Sequence, residues 1–127
     1  MVESQVEIKI IDLGHGRKLK RSNLADSSQR GNPLTAAPEV LFNDCDFYMP
    51  NQVGADQRAD VWSLGITLFQ MVTGVFPFSG YSRNLNINPR EVLNNQVSCG
   101  NYYYPSFLNI SPRTKKFINA CIQYDYK

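Results

Sequence analysis

The sequence of 127 residues has little of what disulfide frameworks, metal centres and membrane spans require. It contains three widely spaced cysteines, no Cys-x-x-Cys pair and a single histidine, His15. This pattern indicates reduced thiols and argues against a disulfide-stabilised or zinc-binding protein. The apolar stretch at 61–72 is interrupted by Ser63, Thr67 and Gln70, and it is too short to cross a bilayer.

Charge and the N-terminal sequence exclude two further classes. Thirteen basic residues against eleven acidic ones give a net charge of +2, which is too balanced to indicate nucleic-acid binding. The first residues lack the basic start and apolar run of a signal peptide. We therefore expect an intracellular, cytoplasmic protein with protein partners and with no nucleic-acid or membrane partner. Apolar residues make up 43% of the chain, enough for a packed core.

The hydrophobic pattern predicts a mainly α-helical fold with one short N-terminal strand. Apolar residues alternate with polar ones from Val6 to Ile10, as is typical of a strand, and a glycine turn follows. The segment at 59–72 predicts a helix that is apolar on nearly every face, ended by Gly74, and we expect it at the centre of the domain. Because one strand cannot form a sheet and few elements are available to cover this helix, the fold looks incomplete.

Proline-based start signals predict three further helices. Pro38 can begin a short helix that ends at Phe42. Asn88 and Pro89 predict a helix at 89–95. Ser111 and Pro112 predict a helix at 112–124, with an apolar stripe made of Phe117, Ile118, Cys121 and Ile122.

Four short motifs follow one another along the chain. Asp12-Leu13-Gly14 comes directly after the predicted strand, and Ala37-Pro38-Glu39 follows the long polar stretch at 17–35. Asp60-Val61-Trp62-Ser63-Leu64-Gly65 opens the central helix, and Gly74 to Phe78 closes it. In this order and spacing the motifs resemble the C-terminal lobe of a eukaryotic protein kinase of the serine/threonine type. The resemblance covers residues 6–126, and we interpret residues 1–127 as part of a kinase domain.

The resemblance implies roles for individual residues. It makes 6–14 the strand with the magnesium motif, Asp12 the metal ligand and 12–39 the activation segment. Substrate docking falls to Asn32, Pro33, Leu34 and Thr35, where Asn32 replaces a hydroxyl residue and Thr35 replaces a tyrosine. Asp60 matches the aspartate that caps the central helix. The structural motif positions are Gly14, Ala37, Pro38, Glu39, Asp60, Trp62 and Gly65.

The polar stretch at 17–35 has two interpretations. Its serines follow a basic run at 17–21, so a phosphate on one of them could pair with that run. A solvated loop with incidental serines is the alternative. The candidate phosphosites are Ser22, Ser27 and Ser28.

Several kinase motifs do not occur in this sequence. No Gly-x-Gly-x-x-Gly and no His-Arg-Asp is present, so the catalytic base and the ATP lysine would have to lie upstream of residue 1. The arginine that pairs with Glu39 in the family is also expected outside the chain. The resemblance therefore implies Mg²⁺ and ATP only for a completed domain, with no cofactor and no activity for this chain alone.

Two functions remain open at this point. In the first, the chain is a truncated part of a serine/threonine kinase, most similar to the calcium/calmodulin-dependent or Unc-like groups. The intact parent domain would phosphorylate protein serine or threonine with ATP, completed by an upstream half or by another chain. In the second, it is a pseudokinase-like scaffold without catalysis, which binds proteins through residues 17–35 and through the surface left bare.

Overall fold

The computed structural model describes residues 7–16, 31–42, 57–78, 88–99 and 102–123. Within them the chain forms a short 3₁₀ helix, Leu13–His15, and four α-helices. Helix α2 packs against α4, and α1 packs against α3. The predicted helical fold is confirmed for this part of the chain. The α-helices are α1 (Pro38–Phe42), α2 (Arg58–Thr73), α3 (Pro89–Cys99) and α4 (Pro112–Cys121).

The strand predicted at 6–14 is wrong for its described part. Residues 7–12 form no strand, and the 3₁₀ helix follows directly. Ile8 is 88% exposed, and Ile10 and Ile11 are nearly as open. A strand persists only when its backbone pairs with a neighbouring strand, and no other described segment is extended beside this one. The alternating pattern therefore favours strand pairing, but the described residues do not form such a pair.

Local start and stop signals set the helix boundaries. The Arg90 amide donates to Asn88 Oδ1 over 3.0 Å, and the Thr114 amide donates to Ser111 Oγ over 3.1 Å. Gly74 ends α2 in a left-handed conformation with φ of 78°, and its amide donates to the Gln70 carbonyl. These caps confirm the predicted starts. Helix α3 runs on to Cys99, past the predicted end at 95, whereas α4 ends at Cys121, before the predicted 124.

One face of α2 carries the main core. Trp62, Ile66 and Phe69 are buried there and join one apolar cluster with residues from three other segments: Ala37, Phe78, Ile118 and Ile122. The opposite face is open, since Met71 is 75% exposed and Val61 and Leu64 are about half exposed. The helix is apolar nearly all round, as predicted, and the exposure agrees with the expectation that few elements are available to cover it. These residues cover only one face of it.

A glycine lets α2 and α4 meet at close range. A Cβ atom on Gly65 would lie 2.7 Å from Cys121 Cβ and equally close to Ile122 Cγ1. Ile118 and Ile122 are buried against α2 at this crossing. Phe117 is 55% exposed, so the predicted apolar stripe of α4 is narrower than expected.

Two tyrosines join the segment before α4 to the core. Tyr102 and Tyr104 contact the Phe69 ring, with centroids 5.2 and 5.1 Å away. Both phenol groups donate to Asn119 Oδ1, over 2.7 and 2.9 Å. Burial raises the pKa of both phenols above the usual value. Tyr103 lies between them and is 84% exposed, so it takes no part in this packing.

Replacing Gly65 with alanine should destabilise the fold by about 1–3 kcal/mol, because the added methyl group overlaps two side chains of α4. Alanine would otherwise favour an exposed helix over glycine by about 1 kcal/mol. Urea unfolding followed by circular dichroism measures the change. Thr67→Ala, on the exposed side of the same helix, is the control, with an expected change within about 0.5 kcal/mol. An unchanged or raised stability for Gly65→Ala would contradict the close crossing.

Stability should fall as the pH rises above about 10. Since the folded state raises both phenol pKa values, the unfolded chain ionises first, and the stabilisation present below pH 10 is lost above it. Each phenol can contribute a slope of up to about 1.4 kcal/mol per pH unit. Urea titrations between pH 8 and 11 measure this slope. Tyr102→Phe should flatten it, and a slope equal to that of the unsubstituted chain would count against the assignment.

Candidate functional site

Asn32 closes the turn at residues 32–36, which is called the docking turn because the kinase resemblance implies substrate docking there. The Asn32 carbonyl accepts from the amides of Thr35 and Ala36 over 3.0 and 3.1 Å. The Asn32 side-chain oxygen accepts from the Leu34 amide over 3.0 Å, and the Thr35 hydroxyl donates back to the Asn32 carbonyl. Asparagine suits this position because its short amide can bond to the backbone two residues on. The Asn32 side-chain oxygen is thus engaged within the turn.

Two apolar clusters support the docking turn. Leu34 is buried with Leu41 of α1 and with two residues of α3, Val92 and Leu93. Ala37, just after the turn, is buried in the main cluster with Trp62. The turn therefore lies where the α1–α3 pair meets the α2 core. Ala37 and Trp62, both predicted motif positions, are brought together here.

Two side chains from distant helices fix successive carbonyls of the turn. Ser63 Oγ lies 2.9 Å from the Thr35 carbonyl and 3.0 Å from the Ala59 carbonyl. Gln96 Nε2 donates to the Ala36 carbonyl over 3.1 Å. Neither residue was predicted as part of the site. For Gln96 a signal existed, since a polar residue lies four and three positions after Val92 and Leu93, on the face that they bury.

Asp12 stands apart from the docking turn. It is exposed and left-handed, with φ of 59° and ψ of 59°, a conformation that aspartate tolerates better than most residues. A Cβ on Gly14 would lie 3.6 Å from Asp12 Oδ1. In the described ranges, no group of three or more His, Cys, Asp or Glu side chains could hold a metal ion. One carboxylate does fit Mg²⁺, which takes most of its ligands from phosphates and water.

The remaining predicted site residues lie at helix starts or beyond the described residues. Pro38 begins α1 and Glu39 lies half-buried in its first turn. Asp60 is exposed in the first turn of α2, and the cap position belongs to Gln57, whose side chain makes no capping bond. The expectation that Asp60 caps the helix is therefore corrected. The candidate phosphosites Ser22, Ser27 and Ser28 lie outside the described residues.

Comparison with known proteins defines the class of protein. The family model described as "Protein kinase domain" matches residues 1–127. The serine/threonine-protein kinase SKM1 of Saccharomyces cerevisiae is 32% identical over 123 residues, which is 97% of this chain and 16% of that protein. The serine/threonine-protein kinase ATG1 of the same organism is 32% identical over 118 residues, 93% of this chain and 12% of its own length. ATG1c of Arabidopsis thaliana is 40% identical over 81 residues, 64% of this chain and 10% of its own length.

The chain belongs to the protein kinase family, and the three relatives named above are serine/threonine-protein kinases. It spans less than a fifth of the length of these curated relatives. The predicted family and type are thereby confirmed. Among the described helices, none combines the length and the apolar character that a membrane crossing needs.

Replacing Asn32 with alanine should open the docking turn, because the Leu34 amide loses its acceptor. We expect hydrogen exchange at this amide to accelerate by about fivefold, the effect of a net hydrogen bond of about 1 kcal/mol. Nuclear magnetic resonance of the labelled chain measures it residue by residue. In Asn32→Ser the exchange rate of the Leu34 amide should lie between those of the unsubstituted chain and Asn32→Ala, since a hydroxyl forms the same turn more weakly. Equal exchange in all three proteins would show that the side chain does not hold the turn.

Proposed function

We propose that this chain is the part of a serine/threonine kinase domain that carries the activation segment and docks the protein substrate. In the intact domain the reaction is ATP-dependent phosphorylation of protein serine or threonine. The observation that carries the proposal is the docking turn, whose backbone is fixed from α2 and α3 while Asn32 stays exposed. An extended substrate needs such a rigid edge beside the reacting hydroxyl.

Phosphoryl transfer depends on positioning and on charge neutralisation more than on covalent chemistry by the protein. In this proposal the docking turn orients the substrate segment. The Asp12 carboxylate provides one ligand for the Mg²⁺ that neutralises the nucleotide phosphates in the completed domain. The described residues provide neither a catalytic base nor a lysine for the phosphates that matches the family motifs. We therefore propose that this chain alone is inactive and binds neither ATP nor Mg²⁺ tightly.

Two exposed apolar surfaces support the proposal that further kinase residues complete the domain. The segment from Ile8 to Leu13 leaves its large apolar side chains open, and Leu64 and Met71 leave the outer face of α2 open. Burying such side chains yields about 25 cal/mol for each Å² removed from water. A complementing part of a kinase domain is the partner that we propose for both surfaces. The calcium/calmodulin-dependent or Unc-like group and a cytoplasmic location belong to the same proposal.

ATP with Mg²⁺ should show no saturable binding to the purified chain at micromolar nucleotide. Isothermal titration calorimetry tests this, with circular dichroism as the control that the chain is folded. Saturable micromolar binding would contradict the inactivity that we propose for the chain alone, because a nucleotide site would then exist within these 127 residues.

A chimera tests the catalytic proposal directly. The kinase-domain residues that precede the matching segment of yeast ATG1 are fused to this chain, and phosphate transfer from labelled ATP to serine and threonine peptides is measured. We expect activity, and we expect Asp12→Asn to reduce it by at least about a hundredfold, since it removes a metal ligand. Lys9→Gln, an exposed change nearby, is the control. A folded chimera without activity would favour the non-catalytic scaffold.

A further inference from the structure

We propose that Gln96 is a positioning residue for substrate docking: from α3 it sets the backbone of the docking turn through the Ala36 carbonyl. This role deepens the proposed function and rests on it. Gln96 acts through the turn and not on the reacting atoms. The residue lies far from the turn in sequence, and the bond adds a polar link to the apolar cluster that Leu34 shares with α3.

Gln96 is buried to an extent that is unusual for an uncharged amide side chain. It is 1% exposed and sits on the buried side of α3 with Val92 and Leu93. Its Nε2 donates to Ala36, whereas its Oε1 is buried and meets no hydrogen-bond donor in the described part of the chain. A buried acceptor without a donor lowers stability, and an apolar side chain of similar size avoids that cost. Stability therefore gives little reason for an amide here, and the geometry of the turn gives one.

The bond acts at the point where the docking turn joins the core. The Ala36 amide donates to Asn32 inside the turn, while the Ala36 carbonyl receives the Gln96 donor from outside. The same peptide chain is thus held from both sides, and the next residue, Ala37, is buried against Trp62. Losing the Gln96 donor frees the end of the turn that leads into the core.

Helix α3 is itself held in place by a contact with the core, and this fixes the position of the Gln96 donor. Asn95 Nδ2 donates to the Phe78 carbonyl over 3.1 Å. Phe78 is buried in the main cluster, where its ring stacks on Trp62. The position of α3, and with it the position of Gln96, is therefore tied to the α2 core. Changes in the packing of α2 reach the docking turn through this route.

Two substitutions separate the donor from the bulk of the side chain. Gln96→Met keeps the approximate volume and removes the donor at every pH. Gln96→Glu carries a carboxyl group that donates to the Ala36 carbonyl when it is protonated and repels it when it is ionised. Because burial raises the pKa of that carboxyl, the donor is present at pH 5, and measurements are made there and at pH 7.5. Asn94→Met and Asn94→Glu, at the exposed neighbouring position, are the matched controls.

Hydrogen exchange at the Thr35 and Ala36 amides is the readout, expressed as protection factors so that the intrinsic pH effect cancels. Gln96→Met should lower these factors by about fivefold at both pH values. At pH 5, where its carboxyl is protonated, Gln96→Glu should approach the unsubstituted chain. The packed helices α1 and α3 carry charged side chains among their described residues, namely Glu39, Arg90 and Glu91. These are present in every variant. Any effect of theirs on the pH dependence of the protection factors is therefore seen in Gln96→Met as well.

Global stability, measured by urea unfolding at both pH values, distinguishes positioning from general destabilisation. A loss of protection that spreads over α2 and α4 would overturn the proposal, as would protection in Gln96→Glu at pH 5 that is no higher than in Gln96→Met. Where Gln96→Glu fails to fold at pH 7.5, the comparison of Gln96→Met with Asn94→Met still decides the role of the donor.

Peptide binding tests the docking role separately. A degenerate serine and threonine peptide library is titrated onto the labelled chain, and shifts of the turn amides report binding. We expect Gln96→Met to weaken peptide binding by about fivefold or more, and Gln96→Glu to recover it at pH 5. Binding that is equal in all variants would overturn the role of Gln96. No binding by the unsubstituted chain would contradict the proposed substrate docking, while the exchange data would still show whether Gln96 sets the turn.

Discussion

The buried face of α2 is the constraint on which the other described elements depend. Trp62, Ile66 and Phe69 provide a continuous apolar surface, and α4, the segment after α2 and the tyrosines before α4 all pack on it. Gly65 lets α4 approach closely enough to seal that surface. Ala37 is buried against the same face, so the residues just after the docking turn take their position from the core. The core therefore sets the position of the site.

Local signals made the helices predictable, and long-range packing made the rest unpredictable. Caps such as Asn88 and Ser111 act within one helical turn, so the sequence alone places the starts of α3 and α4. Whether Ile8 pairs in a sheet or Leu64 meets a neighbour depends on chain segments that no local pattern specifies. The strand was therefore expected from an alternating pattern, whereas the described residues contain no strand that could pair with it. The exposure of apolar side chains such as Ile8 shows where the structure differs from the pattern.

In the candidate site, too, the local contacts could be predicted from the sequence and the long-range contacts could not. Asn32 closes the docking turn within a few residues of chain, and the motif order already pointed to this segment. Ser63 and Gln96 come from positions 28 and 60 residues away from their carbonyl partners. Each looks unremarkable in sequence, because serine is common in helices and a glutamine inside an apolar spacing gives only a weak signal. Tertiary contact, rather than residue type, makes them part of the site.

The Ser63 hydroxyl carries one hydrogen and faces two carbonyls at nearly equal distance, Ala59 on its own helix and Thr35 on the docking turn. It can donate to only one of them at a time. Rotation of the hydroxyl transfers the bond from one acceptor to the other without moving a heavy atom. Rotation of the hydroxyl thus forms and breaks the hydrogen bond between α2 and the turn. While the hydroxyl donates to Ala59, the Thr35 carbonyl is free to accept another donor. A site held in this way can exchange an internal hydrogen bond for an external one without the helix having to shift.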